Sequence, residues 1–107
     1  MSYDFDLSID TGAGNRAYAY NASPTFNLSG MFAAAFEGGI SATLKGKSAA
    51  EAAPLIRAAL DKMLADPPAF KALNPPNGWG TYEGAIQFLQ EFAQACAEHP
   101  LCTVNAT

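Results

Sequence analysis

Hydrophobic and polar residues alternate at the start of the chain, which is typical of a strand with one wet face. In residues 3–10, YDFDLSID, four hydrophobic side chains alternate with acidic and hydroxyl side chains. A glycine-containing turn at residues 11–15 separates this strand from RAYAYN, residues 16–21. This arrangement predicts a β-hairpin, and Pro24 is expected to end its second strand.

Helical spacing replaces the alternation in the middle of the chain. GMFAAAFE, residues 30–37, predicts a short helix that Asn27 or Ser29 would cap and that two glycines would end. GISATLKGK, residues 39–47, predicts a loop.

A longer helix has a clear start signal at Ser48 and Glu51, which have the spacing of a capping box. Pro54 would remove one hydrogen bond and is expected to bend the first turns. Asp66 and the two prolines after it end the helix, and residues 68–73 add at most a turn or two. The residues expected to form its buried stripe are Leu55, Ile56, Ala59, Leu60, Met63 and Leu64.

Thr81 is expected to cap a last helix over residues 82–97, and LCTVN, residues 101–105, predicts a final strand. The residues expected to form the buried stripe of this helix are Ala85, Phe88, Leu89, Phe92, Ala93 and Cys96. The order strand, strand, helices, strand predicts the α+β class. We expect a small antiparallel or mixed sheet, made of the N-terminal hairpin and the C-terminal strand, with helices packed on one face.

Composition and charge narrow the class of protein. Half of the residues are hydrophobic and 15% are charged, so residues 1–107 are expected to fold as a single domain. Because alanine supplies much of this hydrophobic fraction, we expect a homo-oligomer that buries additional surface. The net charge is −4 and the six basic residues are scattered, which argues against a nucleic-acid polymer as partner. No apolar run reaches the roughly twenty residues of a membrane span, and no secretion signal opens the chain, so we expect a cytoplasmic protein without a membrane partner.

Two clusters of polar side chains have residue types that occur in chemical sites. Cys96, His99 and Cys102 have a metal-like spacing, but a structural zinc site needs four ligands and the chain has no other cysteine or histidine. We therefore predict buried thiols and no metal.

The aspartates of the first strand could chelate a cation or act as an acid–base pair, although a solvated strand face is the favoured interpretation. No motif pairs a nucleophile with a base, so we predict no catalytic residues, no enzymatic activity and no cofactor.

The segment NPPNGWGTYEGA, residues 74–85, supports two interpretations. In one it is a rigid connector between helices, with a turn at Asn77 and Gly78, and Trp79 fills the gap between the helices. In the other, aromatic rings of this segment stack on a flat ligand while polar side chains bind the edge of that ligand, together with the TFN segment at residues 25–27. The candidate ligand-binding residues are Thr25, Asn27, Asn74, Asn77, Trp79, Tyr82 and Glu83.

Four segments together resemble a known pattern: TFNLSGMF at residues 25–32, GKSAAEAAPLI at 46–56, NPPNGWGTYEGA at 74–85, and Glu98-His99-Pro100. In these segments the chain is similar to an uncharacterised family of small proteins from actinobacteria, other bacteria and their phages, and the similarity runs nearly end to end. The resemblance implies a phage or prophage setting, in which small non-enzymatic proteins capture host signals or block host partners.

The primary hypothesis is a non-enzymatic binding protein that sequesters a small, nucleotide-like signalling ligand in a polar-aromatic pocket. The alternative is a protein–protein interaction module that inhibits a host protein through exposed aromatic residues. A third class, a small hydrolase that uses Asp4 and Asp6, has no supporting motif.

Overall fold

The computed structural model describes residues 2–107, and these contain one antiparallel sheet of three strands. The strands are β1 (Phe5–Gly12), β2 (Asn15–Ala22) and β3 (Thr103–Ala106), in the spatial order β2-β1-β3. β1 and β2 form the predicted N-terminal hairpin, whereas β3 pairs with β1 only from Phe5 to Ser8. The α+β class, with the hairpin and the C-terminal strand in one sheet, is confirmed.

Helices occupy the chain between β2 and β3. A short 3₁₀ turn, Phe26–Leu28, leads into the first of five α-helices. These helices are α1 (Ser29–Ala35), α2 (Ile40–Leu44), α3 (Ala49–Ala65), α4 (Pro67–Lys71) and α5 (Tyr82–Glu98). α3 and α5 pack against each other along their lengths and supply most of the helical layer.

Two predictions about the first helices are wrong. The segment at residues 39–47 is not entirely loop, because α2 forms at its centre, where Ile40 and Leu44 lie four residues apart and are both buried. Neither Asn27 nor Ser29 caps α1, because the chain enters it directly from the 3₁₀ turn. The cap lies at the start of that turn, where Thr25 Oγ1 accepts a hydrogen bond from the Asn27 amide at 3.3 Å.

The predicted capping of α3 and α5 is confirmed. Ser48 Oγ accepts from the Glu51 amide at 3.2 Å, and Glu51 Oε1 accepts from the Ser48 amide at 3.3 Å. Thr81 Oγ1 accepts from the Gly84 amide at 3.0 Å. α3 continues through Pro54 as one helix, so the hydrogen bond that this proline lacks does not end it.

The core lies between one face of the sheet and the α3–α5 layer. All six residues of the predicted stripe on α5 are buried. On α3 the prediction is correct for four residues and wrong for Leu55 and Leu64, which are exposed. Ala49 and Ala52 complete the buried face of α3 in their place, because small side chains allow the first turns to approach the sheet end and α5 closely.

The opposite face of the sheet is polar, and one of its side chains is buried. Ser8 is covered on the predicted wet face, where its hydroxyl accepts from Arg16 Nη1 at 3.0 Å and from Asn105 Nδ2 at 2.8 Å. Asn105 Nδ2 also donates to Asp6 Oδ1 at 2.7 Å. This network joins all three strands on the side away from the core.

The two edges of the sheet differ. The outer edge of β3 is covered, because Val104 donates to the Lys47 carbonyl at 2.8 Å and accepts from the Gly46 amide at 2.9 Å. The outer edge of β2 has no strand beside it within residues 2–107. Across the same residues, none of the helices has both the length and the apolar character required to cross a bilayer.

Candidate functional site

The two segments predicted to share a site do lie together. We call residues 74–81, between α4 and α5, the connector, and residues 25–28 the Thr25 turn. Gly80 has φ = 114°, and a Cβ at this position would lie 2.9 Å from Thr25 Cγ2 and 3.0 Å from Leu28 Cδ2. Asn77 Nδ2 donates to Asn27 Oδ1 at 3.5 Å. Glycine therefore lets the connector lie directly on the Thr25 turn.

Two of the candidate asparagines hold the connector in shape. Asn77 Oδ1 accepts from the Trp79 amide at 2.9 Å, which closes a tight turn around Gly78. Asn74 Oδ1 accepts from the Tyr82 amide at 2.8 Å, which ties the start of the connector to the first turn of α5. These oxygens are occupied by backbone amides, whereas the Asn77 nitrogen keeps one N–H and the Asn74 nitrogen keeps both for further hydrogen bonds.

Tyr82 faces the protein interior. Its side chain is 6% exposed and its hydroxyl donates to the Met63 carbonyl at 2.9 Å. Met63 lies in the last turn of α3, where carbonyls lack intrahelical donors, and the residue four positions later is Pro67, which has no N–H. The phenol of Tyr82 thus supplies the hydrogen-bond donor that the helix backbone lacks at this carbonyl.

Glu83 lies on the surface at the start of α5. Its carboxylate is 3.7 Å from Lys71 Nζ, and both side chains are more than half exposed. The same ammonium lies 5.5 Å from the centre of the Tyr82 ring. An ion pair this exposed contributes little to stability, so Glu83 remains able to contact a partner.

Trp79 points outward. Its side chain is 71% exposed and does not fill a gap between helices, contrary to the purely structural interpretation of this residue. Phe26 in the Thr25 turn is also exposed, with its ring 5.0 Å from that of Tyr3. Phe26 was not among the candidates. The only signal for it in the sequence was its place between Thr25 and Asn27.

Surface hollows of 340–400 Å³ lie away from the connector, and none of the four that we describe in residues 2–107 is lined by a candidate residue. One hollow, of about 350 Å³, has mainly nonpolar walls that include Ile9, Tyr18 and Leu101. Another, of about 380 Å³, lies on the polar face of the sheet beside Asp4 and Asp6. Trp79, Asn27, Asn77 and Glu83 are all exposed, so these candidate residues lie on an open surface.

The cysteine–histidine cluster does not form a ligand set. Within residues 2–107 no group of three or more histidine, cysteine, aspartate or glutamate side chains is placed to hold a metal ion. Cys96 and Cys102 are buried free thiols. Burial, with a smaller contribution from nearby Cys102, raises the pKa of Cys96 to about 11. Cys96 is thus a protonated core residue at neutral pH and a poor nucleophile.

The candidate residues consequently fall into two groups. Thr25, Asn74, Asn77 and Tyr82 make hydrogen bonds that fix the connector and the Thr25 turn, whereas Trp79, Asn27 and Glu83 are presented to solvent. Comparisons with protein-family models, with curated proteins and with solved structures found no match for this chain.

Proposed function

We propose that this chain is a non-enzymatic binding protein whose recognition surface consists of the connector and the Thr25 turn, with Trp79 as its anchor. The observation that supports this proposal is the 71% exposure of the only tryptophan in the chain. Burial of an aromatic side chain of this size is a large source of binding free energy, and tryptophan is enriched among the residues that dominate interfaces.

The rigidity of the connector supports the same proposal. Trp79 lies between an asparagine-closed turn and Gly80, which packs on the Thr25 turn. Two prolines at residues 75 and 76 further restrict the backbone before it. A backbone that is already fixed loses little entropy when a partner covers the indole, so more of the interaction energy appears as affinity.

The open shape of the surface favours a protein as the partner. Stacking of one base on an aromatic side chain contributes about 1–3 kcal/mol, whereas a micromolar dissociation constant requires about 8 kcal/mol. A small ligand lying on Trp79 without surrounding walls would keep much of its surface in water. A protein with a nonpolar pocket for the indole would bury the ring and the neighbouring Phe26 together. We therefore place the chain among protein–protein interaction modules that inhibit a host protein.

A second candidate is the sequestration of a small, nucleotide-like signalling ligand. It is favoured by the Asn27–Asn77 amide pair, whose remaining donors and acceptors lie on the same surface as the exposed indole. A flat heterocycle that stacks on Trp79 could direct its polar edge toward these amides. We further propose that either activity belongs to a bacterial cytoplasm, in a phage or prophage setting, as the family resemblance implies.

The proposal is tested by comparing the protein with its Trp79→Ala variant. Because Trp79 is the only tryptophan, its fluorescence reports directly on the proposed surface. We expect a host protein to bind the purified chain in a saturable calorimetric titration and to shift the indole emission to shorter wavelength. Calorimetry, which needs no tryptophan, should show that its affinity for Trp79→Ala is lost. Leu64→Ala is the matched control, since Leu64 is an exposed hydrophobic residue on α3.

The same fluorescence titration with nucleotides and cyclic nucleotides distinguishes the two candidates. A saturable change in emission with a nucleotide, lost in Asn27→Ala, would support the small ligand and contradict the protein partner. If no nucleotide changes the emission and every host protein that binds also binds Trp79→Ala equally well, this surface is not the recognition site.

A further inference from the structure

The far half of the hairpin has no third strand beside it. β3 pairs with β1 only as far as Ser8, so residues 9–19, which we call the arm, form a ribbon of two strands. Every residue of the arm is exposed. A two-stranded ribbon in water is marginally stable without a third strand or a packed layer, so the arm lacks the cover that stabilises the rest of the sheet.

Nonpolar side chains concentrate where the arm meets the end of α5. Ile9, Tyr18 and Leu101 are 40%, 64% and 81% exposed, and all three line the nonpolar hollow of about 350 Å³. We call these three residues and their hollow the arm surface. Exposed nonpolar residues gathered around one hollow mark an interaction site more strongly than the same residues scattered.

The edge of β2 beside this surface is open to a further strand. Tyr20 pairs with Leu7 and Tyr18 pairs with Ser8, so Ala19 between them is an extra residue without a partner in β1. Unpaired amides and carbonyls along an edge favour pairing with another strand. Arg16 is the only charged residue of β2, so few charges oppose such pairing.

We propose that two copies of this chain associate through the arm surface about a two-fold axis, with their β2 edges antiparallel. A two-fold contact requires a surface that is complementary to itself. The arm surface can meet this requirement, because Leu101 is 81% exposed and also lines the nonpolar hollow, so each copy brings both an exposed nonpolar side chain and a hollow to the contact.

The charges of β2 are compatible with a second copy as the occupant. In an antiparallel pair related by a two-fold axis, residues at equal distances from the axis lie opposite each other. With the axis at Tyr18 or Ala19, position 16 of one strand lies opposite position 20 or 22 of the other, so the two Arg16 residues are not opposite each other. Self-pairing therefore opposes no like charges within the two strands.

This association is independent of the proposed binding function. The connector lies at the beginning of α5 and the arm surface at its end, on opposite ends of a 17-residue helix. The dimer thus leaves Trp79 open to a partner. The arm surface would be the interface of the homo-oligomer that the composition predicts.

Sedimentation velocity over a dilution series tests the proposal on the full chain. We expect a species of twice the 11.2 kDa chain mass that dissociates on dilution. Leu101→Asp should raise the dimer dissociation constant more than about tenfold, because it places a charge in the partner's nonpolar hollow. Ala19→Lys should also weaken the dimer, since a lysine on an edge strand discourages pairing.

Leu64→Asp and Trp79→Ala are the controls, because both change exposed residues outside the arm surface. Circular dichroism of each variant shows that its fold is intact. The proposal is overturned if the wild-type chain stays monomeric at the highest concentration that it tolerates. It is equally overturned if Leu64→Asp weakens the dimer as much as Leu101→Asp does.

Discussion

Replacing Tyr82 by phenylalanine removes one oxygen atom from the molecule, and we expect this loss to lower the stability of the fold. The Tyr82 hydroxyl donates to the Met63 carbonyl at 2.9 Å in a buried environment. No backbone amide can replace it in the usual helical position, because Pro67 stands four residues after Met63. In Tyr82→Phe the ring remains in place, and the carbonyl is left without a donor.

The magnitude follows from the burial of the carbonyl. A hydrogen bond contributes about 0.5–1.5 kcal/mol net, whereas a buried polar group left without a partner costs about 1–3 kcal/mol. We therefore expect Tyr82→Phe to lower the free energy of unfolding by about 1–2 kcal/mol. For a chain of this length the melting temperature should fall by about 5 °C or more.

Equilibrium urea unfolding, followed by circular dichroism, measures the effect, and Tyr20→Phe is the matched control. The Tyr20 ring stacks on Phe92 with centroids 5.6 Å apart, but its hydroxyl makes no hydrogen bond with any residue from 2 to 107. Its removal should change stability by less than about 0.5 kcal/mol. Equal losses for the two variants would show that the Tyr82 hydroxyl does not serve the end of α3. A Tyr82→Phe variant that loses partner binding without losing stability would assign the residue to recognition instead.

Three further variants or conditions test other parts of the structure. Gly80→Ala should cost about 2–4 kcal/mol in urea unfolding, since it combines an unfavourable φ with contacts near 3 Å. Gly78→Ala, at a positive φ in open space, should cost only about 1 kcal/mol, and equal losses would contradict the close packing of the connector. Because the folded-state pKa of Cys96 is raised from 9.0 to about 11, its thiol should resist a disulfide reagent at pH 8 until urea unfolds the chain. The free energy of unfolding should fall as the pH rises above 9.0, because the thiol then ionises in the unfolded chain while it stays protonated in the folded protein. Rapid labelling of native Cys96 would refute that burial. Hydrogen bonds from Ser48 lower the pKa of Glu51 below 4.5. The difference in free energy of unfolding between wild type and Glu51→Ala should therefore be largest at neutral pH, and it should narrow as the pH falls through that lowered pKa. A difference independent of pH would exclude the capping box as its source.

Local signals in the sequence predicted much of the fold. Capping residues at Ser48 and Thr81 interact with amides only three residues away, so their geometry is set by spacing alone. The stripe on α5 was also predictable, because a helix packed against both the sheet and α3 has a wide nonpolar face. On α3 the same reasoning selected Leu55 and Leu64, although alanines occupy part of the buried face. Hydrophobicity favours large side chains, whereas close helix packing depends on small ones.

The sequence predicts which segments form the candidate site, but it does not predict which way the side chains point. The sequence brought the TFN segment and the connector into one hypothesis, and their contact through Gly80 and Asn77 agrees with it. Nothing local decides whether Trp79 points inward or outward, since that depends on how α3 and α5 close behind the connector. The role of Tyr82 depends on a missing N–H at Pro67, which is visible in the sequence only when Met63 is known to lie opposite.

The pairing of β1 with β3 has a consequence for synthesis of the protein. Asp6 and Asn105 are neighbours in the sheet, although 98 residues separate them in the chain. During translation β1 and β2 emerge first, and β1 has no second neighbour until residues 103–106 have left the ribosome. Contacts between such distant residues slow folding, because a long loop must close before they form. While the residues between β2 and β3 are being synthesised, the nascent hairpin therefore exposes both of its edges, and aggregation of the growing chain is favoured in that interval.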